Sequence, residues 1–221
     1  MSLNSFILIL SYASLFITTV TGLLLLKKSD KTIRVLIFYL LLSCLVESVC
    51  LMLAKYHLNN IRIYNIYNPI EYLLVSFIFI DWLKSKWLTK SILILAFIYL
   101  LLWAYTTFVF IGFEKYNFYI RMFQSVIMVF LSGSLLVQLS SDITISLFQN
   151  EKFWVALAFF FFYAVNVIIF TFSGIILTSL GGSLSQIVVI KLITEIFSNL
   201  IFIKAILCNS QKRKSYSPFS L

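Results

Sequence analysis

Residues 4–54 read NSFILILSYASLFITTVTGLLLL (4–26), KKSDKTI (27–33) and RVLIFYLLLSCLVESVCLMLA (34–54). Two apolar runs flank a short stretch that holds Lys27, Lys28, Asp30 and Lys31. A helix rises 1.5 Å per residue, so about 20 apolar residues cross a hydrocarbon core roughly 30 Å thick. The stretch therefore reads as two spanning helices joined at a charged membrane surface. Met1 to Phe6 carries no Lys or Arg, and the basic residues follow the first run. A signal peptide has its positive charge ahead of the apolar region. The expectation is an uncleaved first helix with a translocated N-terminus.

The same pattern recurs at residues 63–83, 91–112, 118–139, 153–178 and 184–207, with short, charge-bearing connections between the runs. This predicts an all-α polytopic membrane protein: a seven-helix bundle over residues 1–208, followed by a basic tail over 209–221. The sixth run is long enough to tilt. Composition points the same way. Of 221 residues, 62% are apolar and 11% charged, against roughly 45–50% and about 25% in an average soluble domain.

Basic residues orient the helices, because cytoplasmic loops carry an excess of Lys and Arg. Twelve fall on one side: Lys27, Lys28, Lys31, Arg34, Lys84, Lys86, Lys90, Lys152, Lys204, Lys212, Arg213 and Lys214. Four fall on the other: Lys55, Arg62, Lys115 and Arg121. The bias predicts the N-terminus outside and the C-terminus in the cytoplasm. Trp82, Trp87, Tyr116, Tyr119 and Trp154 near segment ends fit interfacial positions. The tail is expected to lie near anionic lipid, with no nucleic-acid partner.

Several chemistries are excluded. The one histidine, His57, stands in an expected loop, so neither a multi-histidine zinc site nor a Ser/His/Asp set within the membrane can be assembled. Cys44, Cys50 and Cys208 form no CxxC pair and read as small apolar side chains. No metal, cofactor or catalytic constellation is expected, and the chain is not read as an enzyme.

The informative residues are polar groups inside apolar runs. A charge at the bilayer centre costs about 2.5–3.5 kcal/mol on insertion scales. Glu47, Glu71, Lys191 and Glu195 are therefore expected to face the bundle interior. From the helical rise, Glu47 lies roughly 12 Å below the outer Lys55, and Glu71 roughly 13–14 Å below Arg62. Lys191 and Glu195 lie roughly 12 and 18 Å into the last run. All four converge on one layer between the outer half and the midplane.

Asn65, Asn68 and Glu71 fall at i, i+3 and i+6, and Lys191, Glu195 and Asn199 at i, i+4 and i+8. Arg121, Gln124 and Asn166 add polar groups in the fifth and sixth runs. The expected ligand-binding set is Glu47, Asn68, Glu71, Arg121, Gln124, Asn166, Lys191 and Glu195, lining a polar core open to the outer side between segments 2, 3, 5, 6 and 7. The competing reading is a self-neutralising network that holds the bundle together and binds nothing. A three-plus-one-plus-three duplication is a further possibility, with Glu71 and Glu195 at comparable depths in segments 3 and 7.

Lys191 in the last run invites comparison with retinal-binding opsins. However, Ile187 stands where the microbial opsin pattern has an Asp, and the third run carries no opsin-like carboxylate motif. Asn68-Pro69 is similar to the proline hinges of small sugar transporters, but the second half lacks a matching proline. Tyr67-Asn68-Pro69-Ile70-Glu71-Tyr72 and the aromatic run Phe159 to Tyr163 resemble uncharacterised bacterial seven-helix integral membrane proteins of about this length. That resemblance implies a multi-pass protein of the bacterial cytoplasmic membrane and no activity.

The functional expectation is a receptor- or sensor-like module that binds a small polar or amphiphilic ligand. Signalling would require a cytoplasmic or membrane partner. A proton-coupled transporter and a structural subunit of a membrane complex are the alternatives.

Overall fold

The computed structural model describes the backbone over residues 3–141, 146–179 and 184–215, and the side chains over 4–141, 146–172 and 188–211. Seven long α-helices make up the described chain: α1 (Leu3–Leu25), α2 (Lys31–Lys55), α3 (Ile61–Trp82), α4 (Lys86–Tyr105), α5 (Phe118–Ser140), α6 (Glu151–Ser179) and α7 (Leu184–Ser215). No strand occurs among the described residues. Six helices, α1 to α6, are long and apolar enough to cross a membrane. α7 is the most polar of the seven in its middle, carrying Lys191, Glu195, Asn199 and Lys204.

Several helix ends depart from the expected spans; α4 gives way at Tyr105 to a π-helical turn over Thr106–Phe110, short of the expected 112. α4 starts at Lys86, five residues before the expected 91, because Ser85 caps it by accepting a bond from the Leu88 amide at 3.4 Å. α7 runs on to Ser215, so the expected tail begins as helix. The side chains of Lys212, Arg213 and Lys214, and residues 216–221, lie outside the described residues.

Helix contacts run in the order α1–α2–α3–α5–α6–α7 and close with α7 against α1. These six form a ring. α4 stands outside it, packed on α3 and α5, and exposes Leu93, Ile94, Phe97 and Leu101. α1 and α2 approach closely at Gly22, where a Cβ would sit 3.0 Å from Ile37 Cγ1. Phe159 centres the packed half of the ring. Its ring lies 5.0 Å from that of Phe202, 5.8 Å from Tyr39 and 5.9 Å from Phe79.

α3 is the most buried of the six apolar helices, and Pro69 interrupts its hydrogen bonding. Proline has no N–H to give the carbonyl four residues back. That carbonyl, Asn65 O, instead accepts from the Trp103 indole of α4 at 2.9 Å. The Asn65 amide donates to Phe113 O and Lys115 O at 2.9 and 3.1 Å. One residue thus ties α3 to α4 and to the α4–α5 connection.

Replacing Trp103 with Phe is expected to cost about 1–3 kcal/mol, since it leaves a buried carbonyl unpaired. Adding Pro69→Ala should recover part of the loss by restoring an N–H to Asn65. Unfolding of the purified variants in detergent checks this. An unchanged midpoint in the single variant, or no recovery in the double, would reject this account of the Asn65 carbonyl.

At the end that holds the α1–α2 and α3–α4 connections, Asn209 clamps Asp30. Its Nδ2 donates to Asp30 Oδ2 at 2.8 Å, and the Asp30 amide donates to Asn209 Oδ1 at 3.1 Å. Nearby, the Thr32 hydroxyl donates to Asp81. At the opposite end Arg62 pairs with Glu114. Both ends are tied by polar bonds, while the belt between them exposes large apolar side chains such as Phe16, Phe38, Phe97 and Phe130. A soluble monomer rarely exposes so much contiguous apolar surface.

Candidate functional site: a charged cavity inside the ring

The cavity follows from how polar residues divide among helix faces. On α3, Tyr64, Tyr67 and Glu71 fall at i, i+3 and i+7 and share one face, which lines a cavity of about 450 Å³. Asn65, Asn68, Tyr72 and Ser76 fall on the neighbouring face. There the Tyr72 ring stacks on Tyr99 of α4 with centroids 4.0 Å apart. The single polar stripe expected on this helix is therefore two.

The wall draws on all six ring helices: Ser11 and Tyr12 from α1, Ser43 and Glu47 from α2, Glu71 from α3, Arg121 from α5, Phe162 and Phe170 from α6, and Lys191 and Glu195 from α7. These positions all lie toward the end of the bundle that holds the α2–α3 and α4–α5 connections. Below them the Phe159 cluster fills the ring.

Three carboxylates and two cations face this space. Arg121 Nη1 lies 2.6 Å from Glu71 Oε2, and the Tyr163 hydroxyl donates to Glu71 Oε1 at 2.9 Å. On α7, Lys191 Nζ lies 3.2 Å from Glu195 Oε1, and Ser11 donates to Glu195 Oε2 at 2.9 Å. Glu47 differs. Tyr64 donates to its Oε2 at 2.9 Å, and no cation stands within 4 Å of it among the described residues. With all five groups ionised, the wall carries one net negative charge.

Glu47, Glu71, Arg121, Lys191 and Glu195 are thus brought together on one cavity. Asn68, Gln124 and Asn166 are buried but are not part of its lining. Gln124 turns toward α4 and accepts from the Tyr99 hydroxyl at 3.1 Å. Asn68 lies on the second face of α3, and neither of its amide atoms has a partner among the described residues. Segment 1 was not among the expected lining helices, yet it contributes Ser11, Tyr12 and the apolar Leu8 and Leu15.

The signal for α1 was present in the spacing. Ser11, Ser14 and Thr18 fall at i, i+3 and i+7, and all three are buried. Asn199 Nδ2 donates to Ser14 Oγ at 3.0 Å, and the Thr18 hydroxyl donates to Asn199 O at 3.2 Å. Because Ser and Thr also bond back to their own helix, as Thr18 does to Ser14 O at 2.7 Å, they disappear into an apolar average.

The fold and the cavity together define an all-helical chain of multi-pass membrane character, with a small charged cavity inside a six-helix ring. Comparison with protein-family models, curated proteins and solved structures finds no match.

Proposed function

We propose that the chain is a receptor- or sensor-like module that binds a small amphiphilic ligand in this cavity. It would be a multi-pass protein of a bacterial cytoplasmic membrane, with the N-terminus outside and the C-terminus in the cytoplasm. The observation that carries the reading is the wall itself. About 450 Å³ of space is bordered both by charged pairs and by Leu8, Leu15, Phe162, Ile169 and Phe170. Ligand pockets fall in the range of roughly 300–1,000 Å³ and combine mostly apolar walls with a few polar groups. In the proposed orientation the cavity lies in the outer half of the bundle. Output would pass to a cytoplasmic or membrane partner.

A thermal-shift screen of small amphiphiles on the full chain in nanodiscs tests the reading. A compound at 100-fold above its Kd should stabilise the protein by about 2.7 kcal/mol. The same compound should leave a cavity-filled Ser11→Trp variant unmoved. Equal shifts in both proteins, or none across the screen, would reject the cavity as a ligand site.

A transporter is the second reading, favoured by the placement of α4 outside the ring. Residual helices α1–α3 and α5–α7 then form two triplets, with Glu71 and Glu195 in corresponding members. Uptake of a screened compound into proteoliposomes, abolished by Glu71→Gln and by Glu195→Gln, would displace the pure receptor reading.

A further inference from the structure

The charges in the cavity are not evenly matched, and the mismatch has a location. Both cations are engaged: Arg121 by Glu71 and Lys191 by Glu195. An anionic ligand would have to share one of these cations with the carboxylate that already holds it. Among the described residues Glu47 holds only the hydroxyl hydrogen bond from Tyr64, through Oε2, and its Oε1 has none. The surroundings of Glu47 are aromatic. Tyr64 touches it directly, Tyr67 bonds Ser43 one turn away on the same helix, and Tyr12 lines the wall from α1. A carboxylate with no cation within 4 Å among the described residues, in a wall that also carries the Tyr12, Tyr64 and Tyr67 side chains, matches an organic ammonium group. The apolar wall beyond it suits a hydrocarbon or aromatic body.

We infer that the cavity selects an organic cation, its ammonium group seated at Glu47 among the tyrosine rings and its apolar portion against Leu8, Leu15 and Phe170. The inference rests on the reading of the cavity as a ligand site and adds the charge of the ligand. It concerns recognition alone and involves no covalent step. Removing Lys191 would free Glu195, make the wall more negative and strengthen cation binding. Removing the Glu47 charge would weaken it.

Equilibrium dialysis of the full chain in zwitterionic nanodiscs tests this with three probes of similar size. These are benzyltrimethylammonium, its uncharged isostere neopentylbenzene, and the anion benzylsulfonate, each corrected for empty nanodiscs. The ammonium probe is expected to bind at least tenfold more tightly than the other two. Its affinity should fall at least tenfold in Glu47→Gln and rise at least threefold in Lys191→Gln. Size-exclusion elution like that of the parent protein establishes that each variant is folded, and Lys191→Gln alone decides the matter if Glu47→Gln does not fold.

Binding of the neutral or anionic probe as strong as that of the ammonium, blocked by Ser11→Trp, would overturn the inference and leave the ligand cavity standing. A Lys191→Gln variant that binds the ammonium more weakly would overturn it as well. No binding of any probe would overturn the inference and count against the cavity reading too.

Discussion

Replacing Arg121 with Gln is expected to destabilise the bundle by about 3–5 kcal/mol, the cost of leaving one member of a buried ion pair without its partner. The side chains of Arg121 and Glu71 are 11% and 3% exposed, and the pair bridges α5 and α3 at 2.6 Å. Tyr163 of α6 completes the carboxylate by donating to its second oxygen. The pair therefore joins three helices at one point. Removal of the guanidinium leaves the buried Glu71 carboxylate with a single neutral donor. The double variant Glu71→Gln/Arg121→Gln removes both charges and is expected to regain most of the loss. Denaturant titration of the purified proteins in micelles measures both. A single variant within about 1 kcal/mol of the parent, or a double no more stable than the single, would contradict this account of the pair.

The second large effect is expected at Phe159. Its ring meets Tyr39 of α2, Phe79 of α3, Tyr163 of its own helix and Phe202 of α7. Truncation to Ala opens a void where four helices depend on one another's surfaces. In soluble cores such changes cost about 3–5 kcal/mol. Lipid is as apolar as the protein interior, so part of the transfer term is absent in a membrane, and lost van der Waals packing carries the remainder. About 3 kcal/mol is expected, measured by the same titration. Phe97→Ala, on the exposed face of α4, should stay within about 0.5 kcal/mol. Equal effects at the two positions would mean that the ring has no packed centre at Phe159.

The helices were legible because their signal is additive. Some 20 apolar residues bounded by Lys27-Lys28, Lys55 or Lys84 need no tertiary information to be recognised. The inward charges were legible for an energetic reason: Glu47, Glu71, Lys191 and Glu195 are too costly to face lipid, and the structure sets all four on one cavity. What spacing alone left open was which of two neighbouring faces a residue joins. Asn68 and Glu71 are about 60° apart around an ideal helix. That difference is small enough to read as one stripe, yet it divides the cavity wall from the face that packs toward α4. Gln124 was equally ambiguous, because its partner Tyr99 lies on a helix outside the ring. The contribution of α1 was hidden by residue type, since Ser and Thr lower the apolar average only slightly.

Pairing was harder still to read than placement. By depth alone Glu47 and Glu71 are equally placed to pair with Arg121. The structure gives Arg121 to Glu71 and leaves Glu47 with Tyr64. The proposed ammonium preference rests on that distribution.

In the proposed orientation the cavity faces the outside of the cell, and cysteine labelling tests this most directly. In a background with Cys44, Cys50 and Cys208 replaced by Ser, single cysteines are placed at Tyr12 and Glu47 on the wall and at Ile78 in the packed half. Intact cells are then exposed to a small, charged, membrane-impermeant thiol reagent. Labelling at Tyr12→Cys and Glu47→Cys from outside, with none at Ile78→Cys, is the predicted result. Labelling of the wall positions only in inverted vesicles, or only after denaturation, would contradict it.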